Sequence, residues 1–182
     1  MGDECFNPGG EDGLIDRVAE FFDCKQWSYD RVADMPVIRL SFSGESACWQ
    51  CVAIADPKAP HLVFMSLLPC RVPPARRAQL ADLFSRLNWG LTHGCFEVNM
   101  DTGEPRLRTN QPLPSPEVSL ELISELVGSN LWAVDHFFGT IMKVVYTKTS
   151  PKMALATLQD AAKPKAAKQP KPIEKQRRFE MN

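Results

Sequence analysis

Two cysteines in Cys48-Trp49-Gln50-Cys51 have the spacing of thiol-redox and zinc sites in this 182-residue chain. Redox-active pairs of this kind lie at a helix N-terminus, where the helix dipole lowers the thiol pKa. The residues around this pair instead predict a β-strand, and residues three apart in a strand point to opposite faces. The sequence therefore favours two separately packed cysteines, with no metal and no cofactor. A zinc or thiol-redox protein stays an alternative if the segment is bulged, and further zinc ligands would then be Cys70, Cys95, His61 or His93.

Other patterns that could support catalysis are weak. Asp101-Thr102-Gly103 matches the tripeptide of aspartic proteases, but those enzymes need two carboxylates that share a proton, and this chain has one such tripeptide. Asp and Gly are also the residues that a hairpin turn requires, so we predict a turn there. His61, His93 and His136 have no nucleophile motif beside them, and the sequence contains no phosphate-binding glycine loop. We therefore predict a protein that is not an enzyme and has no catalytic residues.

Three arginines on the polar faces of predicted strands form a candidate binding patch. Arg39 belongs to the first predicted strand, and Arg106 and Arg108 belong to the last. Together with Glu97 and Asn99 they would make a basic surface that faces the solvent. The alternative is an ordinary solvated sheet face.

The C-terminal part, rich in Lys, Pro and Ala, is a second candidate binding region. Its basic residues are Lys163, Lys165, Lys168, Lys171, Lys175, Arg177 and Arg178. They would attract nucleic acid, an acidic lipid surface or an acidic protein, with a strong dependence on salt. Phe179 is the only aromatic residue in this region, whereas proteins that bind single-stranded nucleic acid stack bases on several aromatic residues. We therefore rank contact with a protein, or with the chain's own domain, above nucleic acid.

The spacing of apolar residues predicts the elements that position these side chains. They are a helix from residue 13, strands over 37–43, 48–55 and 62–68, a helix from Pro73, strands over 95–100 and 105–111, and a helix from Ser115 with a bend or break at Gly128-Ser129-Asn130. The order α-β-β-β-α-β-β-α(α) is typical of an α+β domain with helices packed on an antiparallel sheet of about five strands. The strand over 62–68 is apolar on both faces, and such a strand is normally covered on both sides.

Charge divides the chain into two parts. Residues 148–182 contain nine Lys/Arg and three Asp/Glu, a net charge of +6, which leaves 12 basic and 19 acidic residues and a net charge of −7 in residues 1–147. Residues 161–172 consist only of Ala, Lys, Pro and Gln, and cannot bury enough apolar surface to offset the cost of ordering. We predict a flexible N-terminus over 1–12, an α+β domain over 13–147 and a disordered basic tail over 148–182.

The sequence also predicts a cytoplasmic protein. No stretch of about 18 apolar residues is present, so we expect no transmembrane helix. Residues 1–6 are acidic and lack the positive start and apolar run of a signal peptide. The six cysteines are scattered rather than arranged as a disulfide framework, which fits a reducing compartment.

A series of motifs begins at the end of the second predicted helix: Leu87-Asn88, Gly94-Cys95-Phe96-Glu97-Val98, Asp101, Gly103, Arg106-Leu107-Arg108, Pro112 and the helix start at Ser115. In these positions the chain resembles the YbjN family of small bacterial proteins. The upstream order of elements also agrees, so the resemblance covers residues 13–146. It implies a fold like that of type III secretion chaperones, a twisted antiparallel sheet with helices against it, and a regulator of sensory transduction without catalytic residues. The cysteine content and the basic tail depart from the family.

These observations predict a non-catalytic adaptor or chaperone-like regulator that binds another protein through its sheet. The strand over 62–68 needs a cover on both faces, and a client protein or a second copy of the chain would supply it. One alternative is a protein that binds nucleic acid or an anionic surface through the basic tail. The other is the zinc or thiol-redox protein that would use Cys48 and Cys51.

Overall fold

The structure, a computed structural model, describes residues 13–56, 61–112 and 118–162, and these form four helices and six strands. In chain order the elements are α1 (Leu14–Cys24), β1 (Asp30–Arg31), β2 (Val37–Ser43), β3 (Cys48–Asp56), β4 (His61–Leu67), α2 (Pro74–Asn88), β5 (Cys95–Val98), β6 (Pro105–Pro112), α3 (Leu120–Tyr146) and α4 (Pro151–Ala162). The strands form one sheet in the order β1-β2-β3-β4-β6-β5, with every neighbouring pair antiparallel. The predicted α+β class and order of elements are confirmed.

One face of the sheet supplies the hydrophobic core. On β2, Ile38 and Leu40 are buried while Arg39 between them is exposed, as the two-residue period of a strand requires. The register places Leu40 opposite Cys51, and Phe64 two strands away is also fully buried. Helices α1, α2 and α3 pack on this face, so the helices form one layer and the sheet forms the other.

A buried polar network fixes α3 against the sheet. Asn130 is fully buried, and its side-chain oxygen accepts a hydrogen bond from Ser66 Oγ at 2.6 Å. Its amide nitrogen donates to Thr109 Oγ1 at 2.9 Å and to two backbone oxygens of the sheet at 3.3 and 3.4 Å. The indole N–H of Trp49 completes the network by donating to Ser66 Oγ at 3.0 Å. Because buried polar groups are costly without partners, these bonds select one position of α3 along the sheet.

Helix α3 runs unbroken through Gly128-Ser129-Asn130, where the sequence predicted a bend or break, so a break is excluded. Asn130 finds partners in the sheet instead of competing for the local backbone. Leu126, Val127 and Leu131, on both sides of Gly128, are buried, so tertiary packing outweighs the low helix propensity of glycine. The helix starts after Ser119, whose Oγ accepts from the Leu122 N–H at 3.2 Å, and the predicted start at Ser115 lies outside the described residues.

Helix α4 occupies part of the segment that the sequence assigned to a disordered tail. The prediction of disorder is wrong for residues 151–162, which are helical and contact α2 and α3. Pro151 begins the helix, where its missing N–H costs nothing, and Ser150 accepts from the Met153 N–H at 3.4 Å. Ala154 is 1% exposed, so a small residue provides the contact surface that the composition did not reveal. Residues 163–182 lie outside the described residues, and their assignment as a tail remains a prediction.

Two further features concern the edges of the sheet. The two-residue strand β1 pairs with β2 and is the sixth strand, which was too short to show an alternation of apolar and polar residues.

At the other edge, residues 99–103 form the predicted hairpin turn, because Asn99 Oδ1 accepts from the N–H groups of Asp101 and Thr102 at 2.9 and 3.0 Å. Gly103 has φ 77°, and a Cβ there would lie 2.3 Å from the Val72 carbonyl oxygen, so only glycine fits.

Candidate protein-binding surface

The outer sheet face, which is the side of the sheet away from the helices, has an apolar centre. Val52 and Ile54 of β3 lie opposite Met65 and Val63 of β4, and we call these four residues the apolar centre. All four are only partly buried, whereas the β3 and β4 residues that point toward the helices are 3% exposed or less. Within the described residues no helix covers this face. Apolar surface left uncovered in this way is typical of a protein-binding site.

A cleft of about 370 Å³ extends the apolar centre at one end of the strands. It is lined by Met35, Pro36, Val37, Ile54, Ala55, His61 and Val63. Met35 is 61% exposed, so a large apolar side chain is accessible to a partner at the rim of the cleft. The cleft therefore widens the apolar area beyond the four central residues.

Arg106, Arg108 and Glu97 form an ion-paired cluster on one side of the apolar centre. Arg106 Nε donates to Glu97 Oε2 at 2.7 Å, while Arg108 donates to Oε1 through Nε at 2.9 Å and Nη2 at 2.6 Å. Partial burial by itself would raise the pKa of Glu97, but the hydrogen bonds from the two arginines outweigh it and lower that pKa. Two cations share one carboxylate, so the cluster keeps a net positive charge and free donors.

Arg39 lies on the opposite side of the apolar centre. The register places Arg39, Val52, Met65 and Arg108 in one row across four strands, so the two arginines are roughly 14 Å apart. Arg39 is exposed and has no hydrogen bond or ion pair within the described residues, although Asp30 is its cross-strand neighbour. The structure thus brings Arg106 and Arg108 together, and it places Arg39 apart from them with apolar residues between.

The remaining predicted residues of this site are not on the outer sheet face. Asn99 lies beyond the end of β5 and caps the hairpin turn. The basic residues of the tail lie outside the described part of the chain, so their role in binding stays a prediction. Val52, Ile54 and Met35 were not among the predicted site residues. A signal was available, since residues 51–55 are apolar at every position, as in a strand with two covered faces.

A groove of about 930 Å³ continues the outer sheet face toward the β5–β6 hairpin. It is lined by Leu67, Leu68, Pro69, Cys70, Arg71, Glu97, Val98, Asn99, Glu104, Pro105 and Arg106. Arg71 and Glu104 form an exposed ion pair at 2.8 Å across it. The groove therefore places charged side chains of both signs beside Leu67, two residues along β4 from Met65 of the apolar centre.

Cys48 and Cys51 lie on opposite faces of β3, as the strand period predicted. Cys48 is exposed and lies 3.2 Å from Ser43 Oγ, whereas Cys51 is fully buried and its sulfur lies 3.4 Å from Ser66 Oγ. Burial raises the pKa of Cys51 to about 11, although hydrogen bonds from Ser66 and Trp49 partly oppose the shift. Across the described ranges, no cluster of three or more His, Cys, Asp or Glu could hold a metal ion. This geometry gives no support to the zinc or thiol-redox alternative.

The sequence also matches a known family over most of the described chain. The matching family is YbjN, with the description "Putative bacterial sensory transduction regulator", and the match covers residues 14–142. The chain belongs to the YbjN family. No curated protein is similar enough in sequence to match it. The predicted family resemblance is therefore confirmed, and the outer sheet face lies inside the YbjN region.

Solved structures share the fold of this YbjN chain. A chain of the ExsC–ExsE complex has a TM-score of 0.51 at 15% identity, covering 68% of this chain and 90% of that chain. YbjN from E. coli has a TM-score of 0.50 at 14% identity, covering 69% and 91%. A chain of the HopA1–SchA chaperone–effector complex has a TM-score of 0.46 at 11% identity, covering 69% and 94%. The first two confirm the predicted fold class, with six strands instead of about five.

None of the helices in the described part of the chain is both long enough and apolar enough to cross a membrane. Helix α3, with 27 residues, is long enough, but charged and polar residues recur along it.

Proposed function

We propose that this YbjN protein is a non-catalytic adaptor or chaperone-like regulator that binds another protein through its outer sheet face. The observation that carries the proposal is the uncovered apolar centre formed by Val52, Ile54, Val63 and Met65. A partner that covers these residues removes apolar surface from water, at about 25 cal/mol for each Å². The helices already bury the other face of β3 and β4, so on these two strands the outer face is the one with apolar surface left to bury.

The charges around the apolar centre indicate the chemistry of the partner. Arg39 lies on one side, and the Arg106–Arg108 pair with its single carboxylate lies on the other. A complementary partner is a protein segment with apolar side chains in the middle and acidic groups toward both ends. Such charges guide association and orientation, while the apolar centre provides most of the affinity. The basic residues over 163–178 would add contacts to acidic parts of the same partner.

The solved structures are compatible with this role. The ExsC–ExsE structure is a complex of two proteins, so this fold supports protein binding in that case. We further propose that the chain acts in the cytoplasm and as a regulator rather than as an enzyme. In the competing arrangement, a second copy of the chain covers the outer sheet face. Light scattering of the purified protein distinguishes a dimer of this kind from a monomer, and a monomer fits the proposal.

Substitutions on the outer sheet face provide the test. Met65→Glu places a charge in the apolar centre, and Arg39→Glu reverses a flanking charge. The partner is first identified by co-purification, and its affinity for each variant is then measured by calorimetry with the two purified proteins. We expect Met65→Glu to weaken binding by at least tenfold, about 1.4 kcal/mol, and Arg39→Glu to weaken it less. Arg86→Glu on α2 is the matched control, because Arg86 is exposed on the helix layer. Equal affinities for all three variants would refute the proposal.

A further inference from the structure

A second apolar groove lies on the helix side of the molecule, between α1 and α3. Three rings line one side of it, Phe21, Trp27 and Phe42, and Leu131 and Trp132 line the other. It encloses about 580 Å³ and is open to solvent. Trp132 is 59% exposed although it stacks on His136 at 4.8 Å between ring centroids. We call this site the α1–α3 groove, and it does not overlap the outer sheet face.

The walls of the groove are held in place by the surrounding structure. Asp135 accepts hydrogen bonds from the backbone N–H groups of Glu45 and Ser46 at 3.0 and 2.8 Å, which ties the β2–β3 turn to α3 at one end. Trp27 contacts Phe42 edge-on at 5.5 Å and stacks on Phe22 at 5.8 Å. On α3, Gly128 leaves the wall open, because a Cβ at that position would meet nothing within 4 Å. The groove is therefore a preformed site with room for a ring.

Three charged residues line the groove: Glu45 and Asp135 at the β2–β3 turn, and Lys25 at the end of α1. Asp135 is already held by the backbone of that turn. The Lys25 ammonium lies 5.8 Å from the centre of the Phe21 ring and forms no ion pair within the described residues. Lys25 follows Phe21 by one helical turn, so the site offers an aromatic subsite and then a cation about 6 Å further along α1. A fitting occupant carries a large apolar side chain followed, at that distance, by a carboxylate.

We propose that residues 3–6 of this same chain, Asp3-Glu4-Cys5-Phe6, bind in the α1–α3 groove. Phe6 is the only aromatic residue in residues 1–12, and Asp3 and Glu4 precede it by two to three residues. A segment that leaves Gly13 and folds back along α1 meets the aromatic subsite with Phe6 first and then reaches Lys25 with the two carboxylates. The order and the sign of the charges both match.

The length of the connection also fits. Phe6 is seven residues from Gly13, which an extended chain spans over as much as about 23 Å. Phe21 lies eight residues along α1 from Gly13, a rise of about 12 Å. The connection is therefore longer than the distance it has to cover, with enough slack for the reversal at Gly13. Since the groove and the outer sheet face are on opposite sides, this contact leaves the proposed partner surface free.

Indole N–H signals in two-dimensional NMR spectra test the proposal, because the four tryptophans divide into probes and controls. Trp27 and Trp132 line the groove, Trp89 is 95% exposed elsewhere, and Trp49 is buried in the core. Phe6→Ala in the full chain is expected to shift the Trp27 and Trp132 signals and to leave those of Trp89 and Trp49 in place. Asn7→Ala is the matched control and is expected to shift none of the four.

Two glycines of α3 give a second, independent comparison. Gly128→Leu fills the groove, whereas Gly139→Leu adds the same side chain at another glycine whose Cβ would meet nothing within 4 Å. A synthetic peptide of residues 1–10 is added to the chain that lacks residues 2–9, and we expect it to shift the Trp132 indole N–H signal. The same shift is expected when that shortened chain carries Gly139→Leu, and no shift when it carries Gly128→Leu. Unchanged Trp27 and Trp132 signals in Phe6→Ala, or shifts that grow with protein concentration, would overturn the intramolecular contact.

Discussion

At the scale of single residues, Asn130 shows how a side chain that disfavours helices can determine the structure. Its four hydrogen bonds reach Ser66, Thr109 and two sheet carbonyls, so every polar atom of the amide is used inside the core. Replacing Asn130 with Leu would leave the Ser66 and Thr109 hydroxyls with fewer partners in a dry environment, and such losses are costly.

We expect Asn130→Leu to lower the free energy of unfolding by about 3 kcal/mol in urea denaturation. Asn110→Leu is the control, since Asn110 is exposed on the outer side of β6 and its replacement should change stability by less than about 0.5 kcal/mol. Equal and small effects of the two substitutions would show that the network does not hold α3 in register.

The thiol of Cys51 provides a second residue-scale prediction. Burial raises its pKa to about 11, so at pH 8 the thiolate is scarce as well as inaccessible. In a thiol titration at pH 8 we expect Cys48, which is exposed, to react in the native protein and Cys51 to react only after unfolding in urea. Cys70 is half-buried and burial also raises its pKa to about 11, so Cys51→Ser should lower the number of thiols that appear on unfolding by one rather than to zero. A Cys48–Cys51 disulfide in protein isolated without reductant would contradict this view and revive the redox alternative.

At the scale of elements, the end of α2 protects an edge of the sheet. β5 is the last strand, and the backbone of Phe96 points away from its neighbour β6. Asn88 meets both of these groups, since its Oδ1 accepts from the Phe96 N–H at 2.8 Å and its Nδ2 donates to the Phe96 oxygen at 3.0 Å. The side chain thereby occupies the position that a further strand would take. Asn88, one of the positions that resemble the YbjN family, thus has a physical role.

Asn88→Ala should therefore expose the edge of β5. We expect a loss of about 1–2 kcal/mol in unfolding free energy and increased self-association in analytical ultracentrifugation. Asn99→Ala, which removes a turn-capping amide near the same edge, is the comparison and should destabilise the hairpin without promoting association. A strictly monomeric Asn88→Ala variant would argue against edge protection.

The elements also show what the sequence could and could not predict. The spacing of apolar residues predicted β2 and the buried stripe of α2, because one face of each is covered and the pattern follows the covering. The strands β3 and β4 were predicted instead from apolar runs without a clear period. A break in α3 and disorder over 151–162 were wrong predictions. Both helices depend on contacts with distant elements, which local propensity does not contain. Likewise, the apolar run over 51–55 does not tell which face of β3 is covered, and only the burial pattern shows that Val52 and Ile54 lie on the face without a helix layer.

At the scale of the whole molecule, the described domain and the segment after α4 differ in charge. Residues 163–182 carry seven Lys/Arg and two Asp/Glu, against the net charge of −7 in residues 1–147. If this segment assists partner binding, its contribution is electrostatic and is screened within about 8 Å at physiological salt.

We expect the chain without residues 163–182 to bind its partner more weakly at low salt and with a smaller dependence on salt, measured by calorimetry at several ionic strengths. A full-length variant with its seven basic residues changed to Gln should behave like the truncated chain, which separates charge from length. Tighter binding after truncation would instead show that the segment competes with the partner for its own domain.

The central claim is that a partner protein covers the outer sheet face, and methionine methyl NMR tests it most directly. Met65 lies in the apolar centre and Met35 at its rim, whereas Met153 is 64% exposed on α4 in the helix layer. Adding the purified partner to the full chain should shift the methyl signals of Met65 and Met35 and leave that of Met153 unchanged. Shifts at Met153 with unaffected Met65 and Met35 signals would contradict the claim and place the partner on the helices.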